Sequence, residues 1–452
     1  MERKGILVVG GGLVGQTLAA KLSADGQDVT LVERDAAKVG ELMDLLDVQV
    51  VEGNGSTAPV LRRAGIESCS LVVASTDRDE VNVVVGLLAA ELFHVPRVVV
   101  RVRDADHEEG FRIAGRQHSL DYALVNPEAA AVERIATLLE VPGALDVSAF
   151  MDGDLLVAGF RIESSSDFAG LRVTDMRLLF AGTATLAVAI HRGPDWFIPH
   201  GAQVIEAGDL VYFATSRRDL GDVLALVGVV EDDRSRILIG GASSIGLSLA
   251  KRLKERGQRV VVIENDRERA RHAADELSPS LVIAGKVTDQ GLLEESQIEN
   301  VSTFVAVTED HETNLVACLL AKRLGAGRAL ALVDNPALVA MVGSVGIDAI
   351  ISQRLLTIGL TMQYIRGAGV RSGAALLEDE VEIMEVEAVR GCRLTSGPLM
   401  DVKLPRGVLV AALKRGEKLA IPTGRDTVEP GDHVLLITTS GMASKLTEYL
   451  EP

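Results

Sequence analysis

Gly10-Gly11-Gly12-Leu13-Val14-Gly15 has the spacing GxGxxG, and each glycine answers a separate geometric need where a first strand turns into a first helix. Gly10 permits the tight turn, Gly12 lets backbone approach a pyrophosphate with no Cβ in the way, and Gly15 lets helix pack closely on strand. The helix N-terminus then faces the anion with free N–H groups and the positive end of its dipole, worth roughly 0.3–1 kcal/mol for each nearby charge. Alone the motif is a weak signal. Its context strengthens it, because it follows the apolar run Ile6-Leu-Val-Val9, opens an amphipathic pattern, and meets Glu33 at the close of Asp28-Val-Thr-Leu-Val-Glu33. That is close to the spacing of an acid on a ribose. A carboxylate there accepts from both ribose hydroxyls and repels a 2′-phosphate, which favours NAD or a plain adenine nucleotide over NADP. Arg34 follows directly and is grouped with that acid.

Three other strand ends are expected to line the same cleft, since ligands of such sheets bind outside the carboxyl ends of the strands. They are Gly53-Asn54, Ser75-Thr76, and Arg101 with Arg103. Asn54 either hydrogen-bonds base or ribose or holds a turn. Arg101 suits a bidentate phosphate contact, and Arg103 is either a second such group or a surface charge. Thr76-Asp-Arg-Asp79 also reads as a capping box, in which Thr76 and Asp79 only start a helix. Asp77, Asp79 and Glu80 could bind a cation, but acids in a first helical turn are better explained by the dipole.

The elements that position these residues occur twice. Ile6 to Gly15 returns as Ile237 to Gly246, and Glu33 returns as Glu264, both at a shift of 231 (246 − 15 and 264 − 33). Thr76-Asp-Arg-Asp-Glu-Val-Asn82 returns as Thr308-Glu-Asp-His-Glu-Thr-Asn314 at 314 − 82 = 232, a drift of one residue. Ile190-His-Arg192, Pro199 and Gly208-Asp209 return as Leu413-Lys-Arg415, Pro422 and Gly431-Asp432 at 431 − 208 = 223. The whole unit is therefore duplicated, tail included. Within each copy, short Val/Ile/Leu runs alternate with helical patterns, the signature of βαβ units around a buried parallel sheet. Period-two segments split by turns such as Met151-Asp-Gly-Asp and Glu206-Ala-Gly-Asp then mark a small β-rich domain. The expected fold class is α/β: two Rossmann-like doubly wound parallel-sheet domains, 1–143 and 233–374, each followed by a small domain, 144–232 and 375–452.

The second copy departs at its site. Gly241-Ala-Ser243-Ser-Ile-Gly246 puts Ser243 where the middle glycine stands, Lys286 replaces the residue matching Asn54, and Leu332 stands where Arg101 would be. A Cβ at the closest approach to pyrophosphate is an obstacle, although Glu264 can still hold a ribose. Either the second cleft binds a dinucleotide, or it takes a weaker or smaller ligand, or it is an empty scaffold.

Composition narrows the function classes. The 452 residues are 47% apolar and 24% charged, the balance of a folded globular protein. Lys+Arg number 46 and Asp+Glu 64, a net charge of −18, and such a surface repels nucleic acid and anionic lipid. Cys69, Cys318 and Cys392 are far apart and form no metal-binding or disulfide pattern. The apolar stretch Val81 to Val100 contains Asn82, Glu91, His94 and Arg97, which excludes it from hydrocarbon, so any membrane role must go through a partner. An NAD-dependent oxidoreductase is the commonest owner of the fingerprint, but no His, Tyr or Lys constellation stands out in either tail. His191 and His200 have Lys414 and Thr423 as counterparts.

On the glycine motif with Glu33, the two Thr-to-Asn segments, Arg101-Val-Arg103 and the paired Gly-Asp tails, the chain resembles the duplicated RCK (KTN) family that regulates potassium conductance. That resemblance spans essentially the whole chain and makes the small domains TrkA-C-type domains. It implies a non-enzymatic cytoplasmic regulator, peripheral at the inner face of the plasma membrane, that gates a Trk-type membrane potassium transporter according to bound NAD(H) or ATP/ADP. It also implies a homotetramer, Glu33 on ribose and Arg101 near phosphate, with Gly241, Gly246 and Glu264 repeating the site. A regulator of potassium efflux would share most of this chemistry.

Overall fold

The computed structural model describes residues 4–117, 121–229, 234–278, 281–338, 346–365, 370–375, 381–405, 407–439, 446 and 449–450. The expected boundary at 232 lies outside them. Packing divides the chain into two units, Met1–Ala130 with Gln353–Gly367, and Ala131–Ser352 with Ala368–Pro452.

The first unit is built on a parallel sheet of β1 (Gly5–Val9), β2 (Val29–Glu33), β3 (Gln49–Glu52), β4 (Cys69–Ala74), β5 (Arg97–Arg101) and β6 (Asp121–Val125), in the order β3-β2-β1-β4-β5-β6. The strand order reverses between β1 and β4, and such a reversal opens a crevice at the carboxyl ends. Successive residues of β1 are buried on opposite faces, as a strand covered on both sides requires. Ile6 and Val8 join Leu31, Leu71 and Val99, while Leu7 and Val9 join Val72, Val98 and Val100. Its helices are α1 (Leu13–Ala24), α2 (Ala36–Leu45), α3 (Ala58–Arg63), α4 (Asp79–Leu87) and α5 (Ala105–Gln117), and α6 (Pro127–Glu140) follows, passing into the second unit after Ala130. Helix α4 runs on into a π-turn, Leu88–Leu92.

In the second unit, β7 (Asp146–Phe150), β8 (Leu155–Arg161), β9 (Thr185–Arg192), β10 (Asp195–Phe197) and β11 (Leu210–Ser216) form the first small sheet with α7 (Val173–Leu179) and α8 (Leu220–Val227). A second parallel sheet follows, with β12 (Arg236–Gly240), β13 (Arg259–Glu264), β14 (Val282–Ala284), β15 (Val301–Ala306), β16 (Arg328–Leu332) and β17 (Ala349–Ile351) in the order β14-β13-β12-β15-β16-β17. Its helices are α9 (Ser244–Glu255), α10 (Arg267–Glu276), α11 (Gln290–Glu295) and α12 (His311–Arg323). After α13 (Gln353–Ile365), which belongs to the first unit, the last sheet comprises β18 (Val370–Ala375), β19 (Val381–Glu387), β20 (Val408–Arg415), β21 (Lys418–Ala420) and β22 (His433–Thr439). Its order, β18-β19-β22-β20-β21, repeats that of the first small sheet, β7-β8-β11-β9-β10. The two small sheets share one core in which Leu155, Val157 and Tyr212 meet Val381, Ile383 and Leu435. No helix among the described residues is long and apolar enough to cross a membrane.

Division by chain position does not coincide with division by packing. Helix α13, which follows the second parallel sheet in sequence, buries Ile358 and Met362 in the first unit beside Ile6, Leu18 and Val99. There Tyr364 Oη donates to Asp121 and Arg97 donates to the Ile365 carbonyl. Helix α6, which follows the first sheet, contributes Glu133 and Glu140 to ion pairs with Arg252 and Arg256 of α9 within the second unit. Arg328 of β16 donates to the Leu138, Val141 and Ala144 carbonyls, satisfying the end of α6. An apolar stripe records that a helix must cover something, not which sheet it covers.

The repeated Gly-Asp pairs are corners of the small sheets. Gly208 and Gly431 have φ of +94° and +91°, a region suited to glycine. Asp209 accepts two bonds from Arg192 at 2.7 Å, and Asp432 accepts two from Arg415 at 2.8 and 2.7 Å. Each aspartate also caps a backbone N–H, of Glu206 and Glu429 respectively. Burial alone would raise the Asp432 carboxyl, but Arg415 and the Glu429 amide outweigh it and hold it below the ordinary aspartate range. That stabilisation is present above the ordinary range and is lost as pH falls through the depressed value. Arg415→Ala is expected to destabilise the last sheet, because it removes the guanidinium that pairs with the buried Asp432 carboxylate. Denaturant unfolding at neutral pH checks this, and the gap from wild type should narrow in strong acid.

Candidate functional site

The glycine loop closes on itself in both copies. Gly10 and Gly241 have φ of +111° and +109°, and a Cβ on either would lie 2.9 Å from the backbone nitrogen of Thr76 or Thr308. A Cβ on Gly15 would lie 1.9 Å from the Gly10 carbonyl oxygen, and one on Gly246 would lie 2.0 Å from that of Gly241. Both are demands of the fold. Gly12 differs, because a Cβ there would meet nothing within 4 Å. Nothing in the protein requires glycine at that position, whereas a phosphate approaching the start of α1 would.

Glu33 is only 8% exposed. Its Oε2 accepts from Gly11 N at 2.8 Å, and its Oε1 accepts from Arg34 N and Asp35 N at 2.7 and 2.9 Å. Three of about four acceptor positions are thus used by backbone, so the acid first fixes the glycine loop to the end of β2. Glu264 repeats this with Ala242 N and Asp266 N, both at 2.7 Å.

The other expected residues divide. Arg101 Nη1 donates to the Thr76 carbonyl at 3.2 Å, which places the guanidinium at the end of β4. The side-chain oxygen of Asn54 accepts from Ser56 N and Ser56 Oγ, so of its two readings the structure shows the turn. The capping box does not form. Helix α4 starts at Asp79 with Arg78 as N-cap, and Thr76 Oγ1 is held by Asn82 at 2.7 Å. The Asp79 carboxylate instead accepts from Arg103 N and Asp104 N and pairs with Arg103 Nε at 3.3 Å. Arg103 is therefore a partner of Asp79, not a free surface charge. Asp77 and Glu80 lie 4.0 and 3.8 Å from Arg34 and Arg78.

Asn82 is the residue the sequence reading passed over. Fully buried, it accepts from Thr76 N and Thr76 Oγ1 and donates to the Thr76 and Arg101 carbonyls. It thereby joins the ends of β4 and β5. Asn314 makes the same four bonds to Thr308 and Leu332. Its recurrence with threonine at a fixed spacing was the available signal.

The second cleft encloses about 410 Å³, lined in part by Ser243, Glu264, Arg269, Lys286, Thr308 and Glu309. Ser243 Oγ donates to the Val307 carbonyl at 2.7 Å and accepts from Gly246 N. Its Cβ is accommodated by turning the hydroxyl back into the loop. Arg269 bridges Glu264 and Glu309 at 3.2 and 3.3 Å.

Sequence comparison identifies the assembly of these parts. The TrkA-N domain model matches residues 6–121 and 237–353, and the TrkA-C domain model matches 157–228 and 383–451. The Trk system potassium uptake protein TrkA of Azorhizobium caulinodans is 33% identical over 435 residues, 95% of either chain. The chain belongs to the TrkA family. Among solved structures, the GsuK RCK domain covers 99% of the chain and 95% of its own length at 18% identity with a TM-score of 0.61. The GsuK channel bound to NAD covers 99% and 79% at 18% identity and 0.60. Both show the same fold. TrkA-N thus describes the two parallel-sheet domains and TrkA-C the two small ones, each present twice.

Substitutions separate the two kinds of glycine. Gly15→Ala is expected to lower stability by about 3 kcal/mol, an overpacking cost, with Gly12→Ala near zero. Thermal unfolding of the two variants side by side is the check.

Proposed function

We propose that this chain is a non-catalytic regulatory subunit of a Trk-type potassium uptake system, which senses NAD(H) or ATP/ADP at the first cleft and controls flux through a separate membrane transporter. The observation that carries the nucleotide reading is the open space at Gly12, set between the start of α1 and the buried Glu33. In this reading Gly10, Gly11, Gly12, Leu13, Val14 and Gly15 face the phosphates, Glu33 takes the ribose with Arg34 beside it, and Thr76 and Arg101 bound the far side. Asn54 closes the β3 side. Gly241, Gly246 and Glu264 form the corresponding framework in the second copy. Family membership supports potassium uptake over efflux, and the GsuK channel bound to NAD supports the ligand class.

The remaining features are part of the same proposal: a division near 143, 232 and 374, a homotetramer, and a cytoplasmic position at the inner face of the plasma membrane through the partner. Catalysis has little to work with, since the first-cleft residues named above include no His, Tyr, Lys or Cys. A ligand biases a gating ring only by the difference in its affinity for two states, typically about 1–3 kcal/mol per coupled site. Several sites on one assembly add such differences.

Glu33 also holds three backbone N–H groups, so Gly12→Ala is the cleaner probe. It is expected to weaken NADH and ATP binding by about tenfold or more, equal to 1.4 kcal/mol, as read by calorimetry. Unchanged affinity would remove the glycine loop from the site. Pull-down from solubilised membranes is expected to recover a potassium transporter, and recovery of soluble enzymes alone would count against the regulatory reading.

A further inference from the structure

The two clefts share a backbone but not a charge pattern. At the end of β4 and the start of α4 the first copy has Asp77 and Arg78, with Arg101 reaching in from β5. The second copy has Glu309 and Asp310 there, and Leu332 in place of Arg101. Two arginines are thus exchanged for one acid and one apolar side chain on the half of the crevice beyond the strand reversal. On the other half Asn54 is exchanged for Lys286, which is exposed and makes no ion pair among the described residues. Positive charge has been withdrawn from the far half, while on the near half Lys286 is gained and Arg34 is replaced by Asn265, which moves the remaining cation outward to the end of β14. The 410 Å³ cavity follows the same division, extending over the ends of β12, β13 and β14 and reaching only the β15 side of the far half. Its size is at the small end of the roughly 300–1,000 Å³ typical of small-molecule sites.

Ser243 adds a second restriction. Its Cβ occupies the place that is open at Gly12, and its hydroxyl takes the Gly246 N–H. Fewer of the first N–H groups of α9 are left for an anion, which suits one phosphate better than a pyrophosphate. Glu264 remains buried at the ribose position, with Arg269 against it.

We infer that the second cleft takes a ribonucleoside monophosphate and rejects dinucleotides. The ribose rests on Glu264, the single phosphate lies between the start of α9 and the Arg269–Lys286 side, and Glu309 and Asp310 repel any further phosphate. This rests on the nucleotide reading of the first cleft only in assuming that the shared backbone binds a related ligand.

The test uses the full chain carrying Gly12→Asp, which places a carboxylate in the open space of the first cleft. Calorimetry with AMP and with NAD+ then reports the second cleft. AMP is expected to bind at one site per chain, at least about tenfold more tightly than NAD+, since like-charge juxtaposition costs that much or more. Adding Lys286→Glu, an exposed change that spares the fold, should abolish AMP binding. Adding Ser243→Gly with Glu309→Gln instead should raise NAD+ affinity about tenfold. No AMP binding, NAD+ bound as tightly as AMP, or AMP binding indifferent to Lys286→Glu would each overturn the inference. Loss of NAD+ binding from the wild-type chain on Gly12→Asp alone tests the first cleft separately, so the two readings can fail independently.

Discussion

The tightest glycine contact among the described residues is the approach of the first helix of each copy to the loop before it, where glycine at 15 or 246 faces a carbonyl oxygen that leaves no room for a methyl group. This contact fixes the angle at which the helix leaves the sheet, and therefore where its N–H groups point. The acid ending the second strand completes the arrangement by accepting from the loop amide, Gly11 in one copy and Ala242 in the other. A crevice with defined donors on one wall and a buried carboxylate on the other follows from these two local demands. Neither depends on a ligand, which explains why both copies retain them while the residues around them differ.

Duplication makes that separation visible. Positions that serve the backbone recur: the turn glycines, the helix glycines, the strand-end acids, the buried Asn82 and Asn314, and the Arg192–Asp209 and Arg415–Asp432 corners. Positions at the mouth of the cleft have changed, with Gly12, Asn54 and Arg101 replaced by Ser243, Lys286 and Leu332. The shift rises from 231 to 232 before Gly53 and Gly285, and its return to 231 beyond Asn82 has a physical location. The shift is 232 at Asn82 and Asn314, but 332 − 101 = 231 at the end of the next strand. The extra residue of the first copy is absorbed by the π-turn Leu88–Leu92, whereas α12 in the second copy carries none. A π-turn accommodates one added residue without disturbing the strands on either side.

The glycine loop and its acid were legible in the sequence because the chemistry is local and each residue type has one geometric reason to be there. The parallel sheets were legible because runs such as Ile6 to Val9 are apolar at every position. What could not be read were relations between distant segments. Asp79 and Arg103 each looked like a helix-start acid or a surface charge until the fold brought them together. Asn82 looked like part of a repeat, and its role depends on the carbonyl of a strand that begins fifteen residues later (97 − 82). The placement of α6 and α13 was equally hidden, because the residues they cover lie far along the chain.

Within the second unit, a continuous set of contacts joins the second cleft to the paired small sheets. Helix α9 begins at the glycine loop, and its Arg252 and Arg256 pair with Glu133 and Glu140 of α6. On α6 the buried Arg134 pairs with Asp146 of β7 and donates to Ser148, and Asp146 also accepts from the Tyr212 hydroxyl in the shared core. Across that core, Glu385 of β19 accepts from Met151 N at 2.9 Å and Lys414 of β20 donates to the Met151 carbonyl at 3.0 Å. Charged groups buried this way resist partial displacement, since separating either partner exposes an unpaired charge to a poorly solvated interior. The path therefore favours discrete rearrangement over gradual bending, as coupling between distant sites requires. The exposed ion pairs between α9 and α6 are individually weak, which makes that junction, and not the buried Arg134 cluster, the place where such a rearrangement costs least.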